Sequence, residues 1–166
     1  MGSIPDADWE DMAVLLKGLN HVAVITNDTD RLVNFYEEIF EATVLPDSGV
    51  PGGEGFRLTI IMIGEWAELN VFQIDGNTEA DRQTPMFGRG RLDHLAVQAA
   101  SLEAFETIRA RLMERGAADD FVTDFGPLLS LFFRDPDGLE CEVCVDNPDL
   151  RPGVHNPPGT RALRYA

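Results

Sequence analysis

Cysteine, histidine and positive charge are all scarce in this 166-residue chain. Its two cysteines, Cys141 and Cys144, are too few for a disulfide scaffold. No apolar run approaches the roughly 20 residues that span a bilayer. The N-terminal "MGSIPDADWEDMAVLLKG" is acidic with only a short apolar patch, so it does not read as a signal peptide and a cytoplasmic location is expected. Lys and Arg number 13 against 29 Asp and Glu, a formal net charge of −16. That charge repels nucleic acid and anionic membranes, and neither is expected as a partner. It also predicts weak long-range steering of anionic substrates. What the chain does have is a hydrophobic content of 44%, enough for one compact domain or two small halves sharing a core, and too high for a disordered chain.

Two of the three histidines occupy equivalent places. "GLNHVAV" (18–24) and "RLDHLAV" (91–97) share Leu, a small polar residue, His and then apolar residues, which sets His21 and His94 73 residues apart. Behind the first comes an amphipathic helix with Leu32, Phe35, Tyr36, Ile39 and Phe40 on one face, capped by Asn27, Asp28 or Thr29. Behind the second comes another, with Ser101 as N-cap, Leu102, Phe105, Ile108 and Leu112 as the stripe, and Gly116 as the stop. Three strands are expected after each helix: "ATVLP", "FRLTIIMI" and "AELNVFQI", then "DDFVTDF", "LLSLFFR" and "LECEVCV". "DPDG" (135–138) is a turn signal between the last two, with "IGEW" at the matching place in the first half. The repeat unit is therefore β-α-β-β-β. The expected organisation is an N-terminal extension (1–17), a first module (18–75), a polar linker (76–90), a second module (91–146) and a Pro-rich tail (147–166).

Side chains alternate faces along a strand. Glu140, Glu142 and Cys144 share one face of the last strand, and Cys141, Val143 and Val145 the other, which should pack under the helices. The CxxC spacing thus sends the two cysteines to opposite faces and makes no zinc knuckle. The same reasoning turns Glu68, Asn70 and Phe72 inward in the first half. An interior glutamate is costly unless paired or bound to a cation. Two imidazoles and a carboxylate with open positions suit a divalent metal; hydrogen-bonded structural histidines are the alternative. His155, in the tail, is expected at the surface.

"LNHVAVITNDTDRLVNFYEEIF", "LDHLAVQAASLEAFETIRARL" and "FFRDPDGLECEV" resemble the vicinal oxygen chelate superfamily, which includes glyoxalases, epimerases, extradiol dioxygenases, fosfomycin-resistance enzymes and bleomycin-binding proteins. The resemblance covers roughly 18–145. It implies an α+β fold in which two βαβββ modules form a cupped, eight-stranded mixed sheet around one divalent metal. By position it implies His21, His94 and Glu142 as ligands, with iron, manganese, zinc, nickel or cobalt all compatible. The fourth corner falls on Asn70, where relatives of the glyoxalase and epimerase kinds usually carry Glu or Gln. It also implies a homodimer, to which a short helix in "DWEDMAVLL" could contribute, and leaves open whether the two histidines meet within one chain or across two.

Extradiol chemistry is disfavoured: Leu131, Phe132 and Phe133 precede Arg134 and the turn where those dioxygenases carry Tyr, and the strands hold no spare histidine. A two-base epimerase lacks its second base at Asn70. The expected function is metal-dependent lyase or isomerase chemistry on a small oxygen-chelating substrate. In that reading Glu142 is ligand or catalytic group, and Glu68 is a second proton carrier. A protein that sequesters a small molecule is the alternative, and an atypical non-haem iron dioxygenase the third. With the "IGEW" turn pairing its strands as "DPDG" does, Arg57 and Thr59 are expected on the inward face with Asn70. There Arg57 would hold a substrate carboxylate or neutralise a rim acid. Ile61, Leu129, Leu131, Phe72 and Phe133 are expected to make the pocket mainly hydrophobic.

Overall fold

The structure is a computed structural model and describes residues 19–45, 55–81, 88 and 92–149. The N-terminal segment and residues 150–166 of the tail, with His155, lie outside the described residues.

Each half is β-α-β-β-β. The first runs β1 (His21–Thr26), α1 (Thr29–Phe40), β2 (Thr43–Leu45), β3 (Phe56–Met62) and β4 (Glu68–Ile74). After a 3-10 turn (Glu79–Asp81) the second runs β5 (Leu95–Gln98), α2 (Leu102–Glu114), β6 (Val122–Asp124), β7 (Leu128–Arg134) and β8 (Glu140–Asp146). The eight strands are divided between two four-stranded mixed sheets, ordered β1-β4-β3-β2 and β5-β8-β7-β6. In each sheet the first strand runs parallel to the last, and the remaining pairs are antiparallel. β1 and β5 are therefore edge strands in corresponding places.

The helices begin where short polar side chains satisfy their unpaired first-turn N–H groups. Asp28 accepts from the Arg31 N–H at 3.0 Å and Ser101 from the Ala104 N–H at 3.1 Å. Beyond those caps, Leu32, Phe35, Tyr36 and Ile39 of α1 and Phe105 and Leu112 of α2 are buried. Leu102, at the start of α2, stays 41% exposed.

One core serves both halves. Ile61, Leu69 and Val71 from the first sheet join Leu131, Phe133, Cys141, Val143 and Val145 from the second, around the two helices. α1 reaches across to the second sheet: the Phe133 ring centroid lies 6.2 Å from that of Phe35 and 5.4 Å from that of Phe40. Arg111 of α2 donates to the Ile39 carbonyl at 3.1 Å and to the Glu41 carboxylate at 2.6 Å. Each sheet thus has a helix face, spent on this core, and a far face left for chemistry. No helix among the described residues is long and apolar enough to cross a membrane.

Candidate metal centre

Register assigns every strand residue to a face. In the second sheet, Cys144 pairs with Ser130, Glu142 with Phe132 and Glu140 with Arg134. Ala96 of β5 lies beside Glu142. His94, two residues earlier, reaches the same far face, where its Nε2 stands 3.4 Å from Glu142 Oε2. Ser130 Oγ donates to the other oxygen of Glu142, and the Phe132 ring meets the His94 imidazole edge-on with centroids 5.7 Å apart. This face is buried: Ser130 is 0% exposed, Glu142 8% and Cys144 9%. Burial and the neighbouring Glu142 push the Cys144 thiol up to about 12, so it stays protonated.

In the first sheet His21 stands beside Glu68 on β4, and Ala23 beside Asn70. Met62, Ile60 and Leu58 of β3 lie opposite Glu68, Asn70 and Phe72. His21, Glu68, Asn70 and Phe72 therefore share the far face, as alternation predicts.

Both imidazoles are held the same way, by the residue just before them. His21 Nδ1 lies 2.7 Å from Asn20 Oδ1, and His94 Nδ1 lies 2.9 Å from Asp93 Oδ2. An amide oxygen and a carboxylate accept, so each Nδ1 is the donor, and each Nε2 is the ring nitrogen left to face a ligand. A histidine whose outer N–H is tied to an oxygen presents its other nitrogen as a ligand. The small polar residue preceding each histidine in the repeat is this oxygen, a signal present in the sequence whose role only geometry reveals. Ser130 is the other functional residue that sequence reasoning missed; only the pairing with Cys144 sets it beside Glu142.

Six expected pocket residues lie elsewhere. Arg57 and Thr59 do not share a face with Asn70. The β3–β4 connection has five residues, so Met62 opposes Glu68 and even-numbered positions oppose even-numbered ones. Thr59 consequently sits opposite Val71 on the helix face, 1% exposed, and Arg57 donates to Asp30 of α1 at 2.8 Å. By the same parity Phe133 opposes Cys141 and, with Ile61, Leu129 and Leu131, packs on the helix side. Phe132, not Phe133, is the aromatic of β7 on the far face, opposite Glu142.

His94 and Glu142 meet within the chain, but His21 does not join them. Among the described residues no three His, Cys, Asp or Glu are grouped for a metal ion. A cleft of about 320 Å³ along the edge of β1 has His94, Asp93 and Ala23 in its wall but neither His21 nor Glu142.

Paired βαβββ modules, with a strand-borne His–carboxylate pair on the face away from the helices, define a class of protein. The chain belongs to the Glyoxalase/Bleomycin resistance protein/Dioxygenase superfamily, whose model matches residues 18–143. It is 32% identical over 136 residues to the metallothiol transferase FosB of Shouchella clausii, covering 78% of this chain and 80% of that protein. Among solved structures it is similar to a glyoxylase/bleomycin resistance protein/dioxygenase domain from Frankia sp. EAN1pec. That match has TM-score 0.64 and 24% identity and covers 80% of this chain and 94% of that one. It is also similar to the fosfomycin resistance protein FosX of Listeria monocytogenes, in a variant complexed with Mn(II) and a dihydroxypropylphosphonic acid. There the TM-score is 0.58 and the identity 19%, over 78% of this chain and 92% of that one.

Proposed function

We propose that this chain is a divalent-metal-dependent enzyme of the superfamily, a lyase or isomerase acting on a small oxygen-chelating substrate. The observation that carries the reading is the matched tethering of His21 to Asn20 and His94 to Asp93, with the Nε2 of His94 already aimed at Glu142. The donor set fits a divalent ion: two neutral imidazole nitrogens and one carboxylate leave positions open, and Asp93 and Ser130 hold the ligands from behind. His94 and Glu142 would come from one chain and His21 from a second copy, since the two far faces belong to separate sheets of one chain. That assembly makes the protein a homodimer. When bound, the ion supplies Lewis acidity toward two neighbouring substrate oxygens. Manganese, iron, zinc, nickel and cobalt all suit such a site.

The chain's own groups divide the remaining work. Ser130 fixes one Glu142 oxygen, leaving the other toward His94. Glu68, half-buried beside His21, is the carboxylate available to move a proton, and Asn70 cannot do so. The relationship to a metallothiol transferase and to fosfomycin resistance proteins supports a metalloenzyme on a small molecule. The half-exposed apolar surface beside Asn70 favours a second reading, a protein that sequesters an apolar ligand; binding that survives a chelator would select it.

Metal content by mass spectrometry tests the proposal. About one ion per chain is expected, lost in His94→Ala and in Glu142→Ala. Neither His21→Ala nor Glu142→Ala alone should hold metal, whereas refolding the two together should restore one site per mixed dimer. No uptake of any candidate ion overturns the metalloenzyme reading. Uptake without rescue on mixing places His21 and Glu142 in the same chain's site.

A further inference from the structure

The two copies of the repeat differ in the residue just before the histidine: Asn20 precedes His21, and Asp93 precedes His94. The two side chains are nearly the same size, and an oxygen of each meets the Nδ1 of the ring that follows. Their charge differs. The Asn20 amide is neutral, whereas a carboxylate such as that of Asp93 is an anion.

Length does not rank the two contacts, since the one to Asn20 is the shorter, 2.7 Å against 2.9 Å. Charge and surroundings do. A hydrogen bond to an ionised acceptor is roughly twice as strong as a neutral one. It also draws the Nδ1 proton outward, which makes Nε2 the more basic nitrogen and the better ligand for a cation. Asn20 and His21 are both exposed, so water competes for their hydrogen bond. The side chains of His94 and Asp93 are only 32% and 23% exposed, and solvent screens their attraction less.

The rest of each ring's surroundings follows the same ranking. The Phe132 ring packs edge-on against His94, with centroids 5.7 Å apart. The Nε2 of His94 stands 3.4 Å from one oxygen of Glu142, and Ser130 donates to the other. Among the described residues Asn20 is the one side chain hydrogen-bonded to His21.

We infer that the two histidines are unequal ligands, and that Asp93 is the positioning residue that sets how tightly the ion is held. His94 and Glu142, fixed between Asp93 and Ser130, are in place before any ion arrives. His21 completes the set as the weaker ligand, because its ring must still be ordered. The inference rests on the metal-centre reading for the ion alone; the inequality of the rings is set by Asn20 and Asp93.

Competition titration of the full chain with Mn²⁺ tests it on single substitutions of each tether. Asp93→Asn gives His94 the amide tether of His21 and should weaken binding about 10–100-fold. Asn20→Ala removes an exposed neutral hydrogen bond and should weaken it less than about threefold. Asn20→Asp should strengthen binding, and Asp93→Glu should recover part of what Asp93→Asn loses. Nitrogen NMR of the metal-free chain in alkaline buffer reads the rings themselves, which a purely structural role for Asp93 would leave unchanged. His94 should hold one Nδ1–H tautomer and lose that preference in Asp93→Asn, while His21 exchanges between both tautomers. Asp93→Asn binding Mn²⁺ like the parent overturns the inference. So does Asn20→Ala losing as much as Asp93→Asn, or equal tautomer populations at the two rings. If the parent chain takes up no Mn²⁺, the metal-centre reading fails and with it the part of Asp93 in holding an ion. The ring spectra then decide by themselves whether the two histidines differ.

Discussion

Phe132 and Phe133 are adjacent in the chain and face opposite sides of β7. Phe132 lies over the His94 imidazole and opposite Glu142, and Phe133 lies between Phe35 and Phe40 in the core shared by both halves. Truncating a fully buried aromatic costs about 3–5 kcal/mol. Phe133→Ala should therefore show a loss of that size in urea unfolding. Phe132→Ala should lose less stability and instead alter metal retention, because it removes a wall of the His94 site. Equal stability losses with unchanged metal binding in both would refute this division.

Ser130 would act on a metal held by His94 and Glu142 only through the Glu142 carboxylate, to which its hydroxyl donates. Removing a partner that orients a ligand typically weakens metal affinity 10–100-fold. Ser130→Ala should reduce affinity within that range in a competition titration, and Ser130→Thr, which keeps the hydroxyl, should recover part of it. If Ser130→Ala binds metal like the parent, the hydroxyl does not hold the ligand.

Asn70 should be a residue that the fold does not need. Its buried oxygen has no partner, and an unpaired buried polar group costs about 1–3 kcal/mol. Asn70→Leu is expected to keep or raise the midpoint of thermal unfolding. A clear fall would mean that the amide is structural.

Asp135, in the turn before β8, is 6% exposed, and burial pushes its carboxyl up to about 7. N–H groups of Leu139 and Asp137 donate to it and pull the other way, as does Arg31, while the Asp137 carboxylate adds to the rise. The unfolded chain releases this proton near 3.8, so between there and about 7 the folded form binds more protons. Stability must fall as pH rises through that window and level off above it. The shift corresponds to at most about 4 kcal/mol. Asp135→Asn keeps the accepting oxygen and should flatten that part of the stability–pH curve. An unchanged slope in the variant would assign it to other groups.

The repeat, the strand–helix order, the Ser101 N-cap and the far-face positions of Glu68, Asn70, Phe72 and Glu142 were legible in the residues, while the first helix offered three candidate caps, of which Asp28 is the one used. Each follows from local rules: 3.6-residue periodicity in the helices, alternation in the strands, and short polar side chains at helix starts. Arg57, Thr59 and Phe133 were misplaced because the face a strand presents depends on its register with the next. One residue of register turns every side chain over. The five-residue connections after Met62 and Arg134 decided that register.

By itself the sequence determined that two like modules carry one histidine each, and that a carboxylate stands on a strand face away from the helices. Only the tertiary structure decided that His94 closes on Glu142 while His21 stays apart. The physical reason is the shared core: Phe35, Phe40 and Phe133 draw the helix faces of both sheets together, and that packing separates the far faces of one chain.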